Sequence, residues 1–100
     1  VGIAAVIETA KFAAKNEHPN TVICCGSVQE EIGGRGAASI AMHTDADICI
    51  VLEGAPADDI PGIPGNSQTC IGKGAHVRLF DPTMMVKKGL ADFIVNTADK

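Results

Sequence analysis

Two short apolar runs, each ending on a carboxylate, constrain this chain more than any other feature. Residues 21–28 and 46–52 are almost continuously apolar and rich in β-branched and small side chains. Gln29, Glu30 and Glu31 follow the first run, and Glu53 the second. A run of this length and composition reads as a strand covered on both faces, which is the habit of a parallel sheet. Between the runs lie Gly33, Gly34 and Gly36, then a helical stretch from Ala37 to His43. Strand, glycine turn, short helix and strand make a βαβ unit, whose crossover is right-handed.

The flanks agree with an α/β class. Ile3, Val6, Ile7, Ala10, Ala13 and Ala14 share one stripe of an amphipathic helix over residues 1–16, which ends at Asn16 to Asn20 around Pro19. Residues 54–74 are rich in Pro, Gly and Asp and read as a long loop. His76 to Phe80 alternates as a half-exposed strand does. Asp81-Pro82 opens a turn into a last helix, with Val86, Leu90, Phe93 and Ile94 on one face. The expected fold is a parallel or mixed sheet with helices on both faces. Val1 lies inside one helical pattern and Lys100 inside another, so the chain is expected to be part of a longer one.

Charge and composition exclude some partners. Eight Lys and Arg against twelve Asp and Glu give a net charge of −4, which does not favour a nucleic-acid backbone. The longest apolar runs, such as Ile48 to Leu52, are far too short to span a bilayer. Cys24, Cys25, Cys49 and Cys70 contain no CxxC spacing, and adjacent strand residues point to opposite faces. They read as reduced, mostly buried thiols of a cytoplasmic protein rather than a zinc site or disulfide framework.

The chemistry is expected where the two runs end. In open α/β sheets, ligands bind beyond the carboxyl ends of the strands. Adjacent strands would bring those ends roughly 5 Å apart, or about 10 Å with one strand between. Either spacing lets carboxylates meet at a metal pair, whose ions lie roughly 3.5–4 Å apart. Of two successive glutamates leaving a strand in different directions, one can bind metal while the other moves a proton. The plain alternative is that Glu30, Glu31 and Glu53 are solvated charges at loop edges.

A rival motif overlaps this one. Gly34 to Ser39 approximates the GxGxxG of a dinucleotide loop, with Glu53 downstream. Ser39 stands where the third glycine belongs, and Glu30-Glu31 would repel a pyrophosphate. The same glycines also serve a tight turn and close helix packing. His18, His43 and His76 lack the HxH or HxxxH spacing of a ligand pair. Asp58 to Gly62 reads as ordinary turn chemistry. Met84 and Met85 read as fillers of core or interface gaps.

The run from Val28 to Ala37 resembles the VQEEVGLRGA signature of the glutamyl aminopeptidase, or tetrahedral aminopeptidase, family of cytosolic dinuclear metallopeptidases. Glu53-Gly54 with Asp58 to Gly62 resembles that family's acidic ligand and GDTPG segment. Ile71 to Ala75 resembles its LGKGP, and Asp81 falls where it carries an Asp. Val1-Gly2 resembles the residues just after an early metal-binding segment of the family. Gly34 and Ala75 depart from the usual Leu and Pro.

The resemblance implies a zinc-exopeptidase-like catalytic domain, of which residues 1–100 are a part, with an inserted dimerisation domain outside them. It implies Glu30 as general base, Glu31 as ligand to one divalent ion and Glu53 as ligand to the other. The two ions would be zinc or cobalt. It further implies peptide substrates cleaved at the amino terminus and homo-oligomers built from dimers. The family's HxD segment, bridging Asp and late His have no counterpart here. This chain alone would therefore offer two ligands and is expected to be inactive by itself. A metal-dependent deacylase or amidohydrolase, and a non-catalytic nucleotide-binding or assembly module, are the alternatives. N-acyl substrates would mark the first and metal-free dinucleotide binding the second.

Overall fold

The computed structural model describes residues 1–62 and 67–98. They form two units, Val1–Gly54 and Ala55–Lys100. Residues 63–66 of the expected long loop, and the end of the last helical pattern at Lys100, lie outside the described residues.

The first unit holds helices α1 (Gly2–Lys15) and α2 (Arg35–His43). The apolar stripe predicts a helix over residues 1–16, and α1 matches it closely. Lys11 pairs with Glu8 at 2.7 Å, an exposed i,i+3 pair that supports the helix only modestly. At the C-terminus Asn16 leaves the helix with extended backbone (φ −125°, ψ 142°). Its side-chain amide donates to the Phe12 carbonyl at 2.7 Å, satisfying one of the helix's orphan acceptors. α2 starts two residues earlier than the sequence pattern indicates. Gly34 caps it in the left-handed region (φ 62°), a conformation glycine adopts without penalty. Thr44 closes it by donating to the Ile40 carbonyl at 2.9 Å.

Residues 21–28 and 46–52 depart from expectation. They carry no sheet pairing, and their side chains are exposed rather than buried: Val28 is 67% exposed and Ile50 61%. The physical reason is one of partners. A strand covered on both faces needs a ladder on each edge and helices above and below. The first unit supplies two helices and no third strand. Cys24, Cys25 and Cys49 lie in these runs, so they are exposed free thiols, which corrects the expectation of burial. Cys70 is free and half-buried.

Two close approaches nevertheless order this unit. A side chain at Gly2 would run into the Leu52 carbonyl, and its Cβ would lie 3.5 Å from the Glu53 Cα. A Cβ at Gly36 would lie 2.5 Å from both the nitrogen and the oxygen of Val28. Each glycine lets a helix start seat directly on the backbone of an apolar run.

In the second unit, strands β1 (Phe80–Asp81) and β2 (Met84–Met85) pair antiparallel, Phe80 opposite Met85 and Asp81 opposite Met84. The Val86 N–H donates to the Leu79 carbonyl at 3.1 Å and extends the pairing. The strand expected over His76 to Phe80 is thus reduced to its last residue, because among the described residues only Met84–Met85 pairs with it. Asp81 shapes the turn: its carboxylate accepts from the Thr83 N–H at 2.8 Å and the Thr83 hydroxyl at 2.7 Å. These bonds, with Arg78 at 3.6 Å, hold the Asp81 carboxyl below its ordinary pKa. Met85 is exposed rather than filling a core. Helix α3 (Lys88–Ala98) comes next, with Lys88 and Asp92 paired one turn apart at 2.5 Å.

Among the described residues Ala91 of α3 is the one buried apolar side chain, at 4% exposure. At the coarse level the expected mixture of helix and sheet holds. The sheet formed among the described residues is two-stranded and antiparallel. No helix among them is long and apolar enough to cross a membrane.

Candidate active site

The candidate site is built in the first unit from a single reversal of the chain. Val28 ends its run, and the backbone turns through Gln29 to Gly34 before α2 begins. Four consecutive amides point back into the reversal. The N–H groups of Gly33 and Gly34 donate to the Glu30 carbonyl at 3.1 and 3.0 Å. That of Arg35 donates to the Gln29 carbonyl at 3.3 Å, and that of Gly36 to the Val28 carbonyl at 3.0 Å. Glu30 and Glu31 stand on this turn with exposed side chains.

Glu53 follows the other run. Its Cα lies beside Gly2 at the start of α1, where the helix carries roughly half a positive charge. The next residue of α1, Ile3, places its Cδ1 within 2.9 Å of where a Cβ of Gly26 would stand. The start of α1 therefore touches both runs, one at Leu52-Glu53 and the other at Gly26, four residues ahead of Glu30.

The donor chemistry of Glu31 and Glu53, carboxylate oxygen, suits a divalent cation. The set is small. Among the described residues no three His, Cys, Asp or Glu side chains gather closely enough to hold a metal ion. A hydrolytic ion takes three protein ligands or more. Two of the histidines are engaged locally: His18 Nδ1 donates to the Asn20 carbonyl and His43 Nδ1 to the Ser39 carbonyl, both at 2.7 Å.

The glycine-rich turn also bears on the dinucleotide alternative. A phosphate-binding loop offers free N–H groups to the anion. Here the amides of residues 33–36 are all spent on the carbonyls of residues 28–30. The glycines act in the turn and in the close helix seat.

Two features are not legible as functional in the sequence. Gln29 has φ 58°, and among the described residues it is the one non-glycine in the left-handed region. No residue-type signal announces this, since Asn and Asp are the side chains enriched there. The second is Asp58, which the sequence presents as turn chemistry. Its carboxylate accepts from the Ser67 hydroxyl at 2.6 Å, the Thr69 N–H at 2.8 Å, the Gln68 N–H at 3.0 Å and the Thr69 hydroxyl at 3.1 Å. These bonds, the Ser67 hydroxyl foremost, hold its carboxyl far below the ordinary carboxylate range. Asp59 adds an acceptor for the Ile71 N–H at 3.1 Å. The successive aspartates clamp the returning limb of the long loop.

Comparison with known proteins fits this picture. The model of the M42 glutamyl aminopeptidase family matches residues 1–100. A glutamyl aminopeptidase of Lactococcus lactis subsp. cremoris (strain MG1363) is 32% identical over 98 residues, covering 98% of this chain and 27% of the relative. FrvX of Escherichia coli (strain K12) is 44% identical over 62 residues, covering 61% of this chain and 17% of the relative. The chain thus spans about a quarter or less of the length of these relatives. No solved structure matches it significantly. A family model matched along the entire chain, on a sequence whose two glutamates stand at a pinned turn, makes this chain a member of the M42 glutamyl aminopeptidase family.

Proposed function

We propose that this chain is part of the catalytic domain of an aminopeptidase that removes amino-terminal residues from peptides. Its sheet would be parallel or mixed and of the zinc-exopeptidase kind, completed by segments outside residues 1–100; an inserted dimerisation domain would also lie outside them. Glu30 is the general base. Glu31 and Glu53 each hold one of two divalent ions, zinc or cobalt, and the remaining ligands come from outside this chain. The protein works in the cytoplasm as a homo-oligomer assembled from dimers.

The observation that supports this most directly is the pinned turn of residues 28–36. Two carboxylates leave it in succession, and the family match runs through it. When bound, the ions acidify a water and polarise the scissile carbonyl. The work of this chain is proton transfer and orientation. A Glu30 carboxylate oxygen accepts a proton from the attacking water and returns it to the leaving amine nitrogen. Glu31, one residue on, would hold one of the ions through its carboxylate. The backbone bonds of the turn fix where Glu30 leaves the chain, which matters because small misplacements of a catalytic group are expensive in rate.

The test is Glu30→Gln in the full-length protein, with bound metal and turnover of aminoacyl-anilides both measured. Loss of general-base catalysis lowers turnover by about 10²–10⁴, with metal retained. Unchanged turnover would remove Glu30 from the mechanism and the reading with it.

A further inference from the structure

We propose that Gln29 is a positioning residue for Glu30, acting through its left-handed backbone and not through its amide; this rests on the reading of Glu30 as the base. Gln29 holds φ 58°, where side chains other than glycine are strained. Its side chain is exposed, so burial does not compensate the strain. The backbone around it is over-determined. The Val28, Gln29 and Glu30 carbonyls are each taken by amides of residues 33–36. Gly36 seats α2 on Val28 with no room for a Cβ.

The consequence is directional. An extended residue at position 29 would carry the run onward, and Glu30 would leave on the face set by strand alternation. A left-handed residue reverses the chain there. Glu30 then leaves from the turn, with its own carbonyl turned inward to the Gly33 and Gly34 amides. The dihedral angle of Gln29 therefore decides where the carboxylate of Glu30 emerges.

Substitution at Gln29 in the full-length, metal-loaded protein separates the backbone from the amide. Gln29→Gly and Gln29→Asn adopt the left-handed region readily. They are expected to keep kcat within about threefold of the native value, although the first lacks any side chain. Gln29→Val is β-branched and resists that region. It is expected to lower kcat by about tenfold or more, with KM and bound metal little changed. A purely structural role would lower thermal stability without splitting kcat from KM.

Gln29→Gly falling as far as Gln29→Val would overturn the proposal, since the amide would then be what matters. A Gln29→Val protein with native kcat would overturn it too. If Gln29→Val fails to fold, Gln29→Gly still decides, because that variant carries no strain. Glu30→Gln run alongside distinguishes the two failures. Turnover surviving Glu30→Gln removes the base itself. Turnover lost in both Glu30→Gln and Gln29→Gly leaves the base standing and removes only the role of the backbone.

Discussion

Replacing Gly36 with alanine tests whether the seat of α2 is as tight as the structure makes it. The new Cβ would lie 2.5 Å from the Val28 nitrogen and oxygen and 3.2 Å from its carbonyl carbon. Real Cβ atoms stay beyond 3.0 Å, so the backbones must part by at least the difference, 0.5 Å. The Gly36 N–H to Val28 carbonyl bond, at 3.0 Å, would then reach the limit of a useful hydrogen bond. Losing it costs about 1 kcal/mol. Overpacking adds about 1–3 kcal/mol. Alanine's better helix propensity returns up to about 1 kcal/mol. The net expectation is a destabilisation of about 1–3 kcal/mol. Urea denaturation of the full-length protein reads it as a lowered midpoint at unchanged slope. Gly54→Ala is the control: nothing lies within 4 Å of its Cβ position and its φ is not in the left-handed region. It should stay within about 0.5 kcal/mol of native. Equal midpoints for Gly36→Ala and Gly54→Ala would refute the reasoning.

The carboxylates of the second unit lead to two further outcomes. Asp58 has a folded pKa below its ordinary value of 3.8. Its contribution to the loop is therefore complete above that ordinary value and is lost only as pH falls toward the depressed one. The Asp58 carboxyl resonance should stay flat from neutral pH down through the ordinary carboxylate range, and a midpoint near 3.8 would contradict the clamp. Asp58→Ala should in addition hasten proteolysis of the long loop, read as new cleavage products on a gel. Thr83→Val removes one of the two Thr83 bonds to Asp81, so the Asp81 titration should move up toward the ordinary carboxylate value. No movement would show that the hydroxyl contributes nothing.

The sequence is most legible where structure is local. The i, i+3, i+4 stripe of α1, its stop before Pro19, the glycine turn before α2 and a last helix all depend on contacts within a few residues, and all appear, although Val86, expected on the last helix, lies ahead of α3. The two apolar runs fail as strands because a sheet is a long-range object. Val22, Ile23, Ile48 and Ile50 specify that something must cover them, but not what. Glu30, Glu31 and Glu53 stand out because a run that ends on acid is conspicuous. Gln29 and Asp58 escape sequence reasoning for different reasons. A left-handed glutamine has no signature in its residue type. A clamp between Asp58 and Ser67 to Thr69 needs the loop closed before the pairing means anything.

The hydrogen bonding of Asp58 bears on which acids are free to meet a cation. An ionised carboxylate has about four lone-pair positions, two on each oxygen; three donors converge on Asp58 Oδ1 and one reaches Oδ2. Asp58 stands only five residues after Glu53 in the chain, yet its Oδ1 is already crowded by donors and its Oδ2 is partly taken. Glu53 is not so engaged among the described residues. Acids close in the chain and of equal formal charge thus differ in how they are used: the hydrogen bonds of Asp58 have made it a piece of the loop's scaffold.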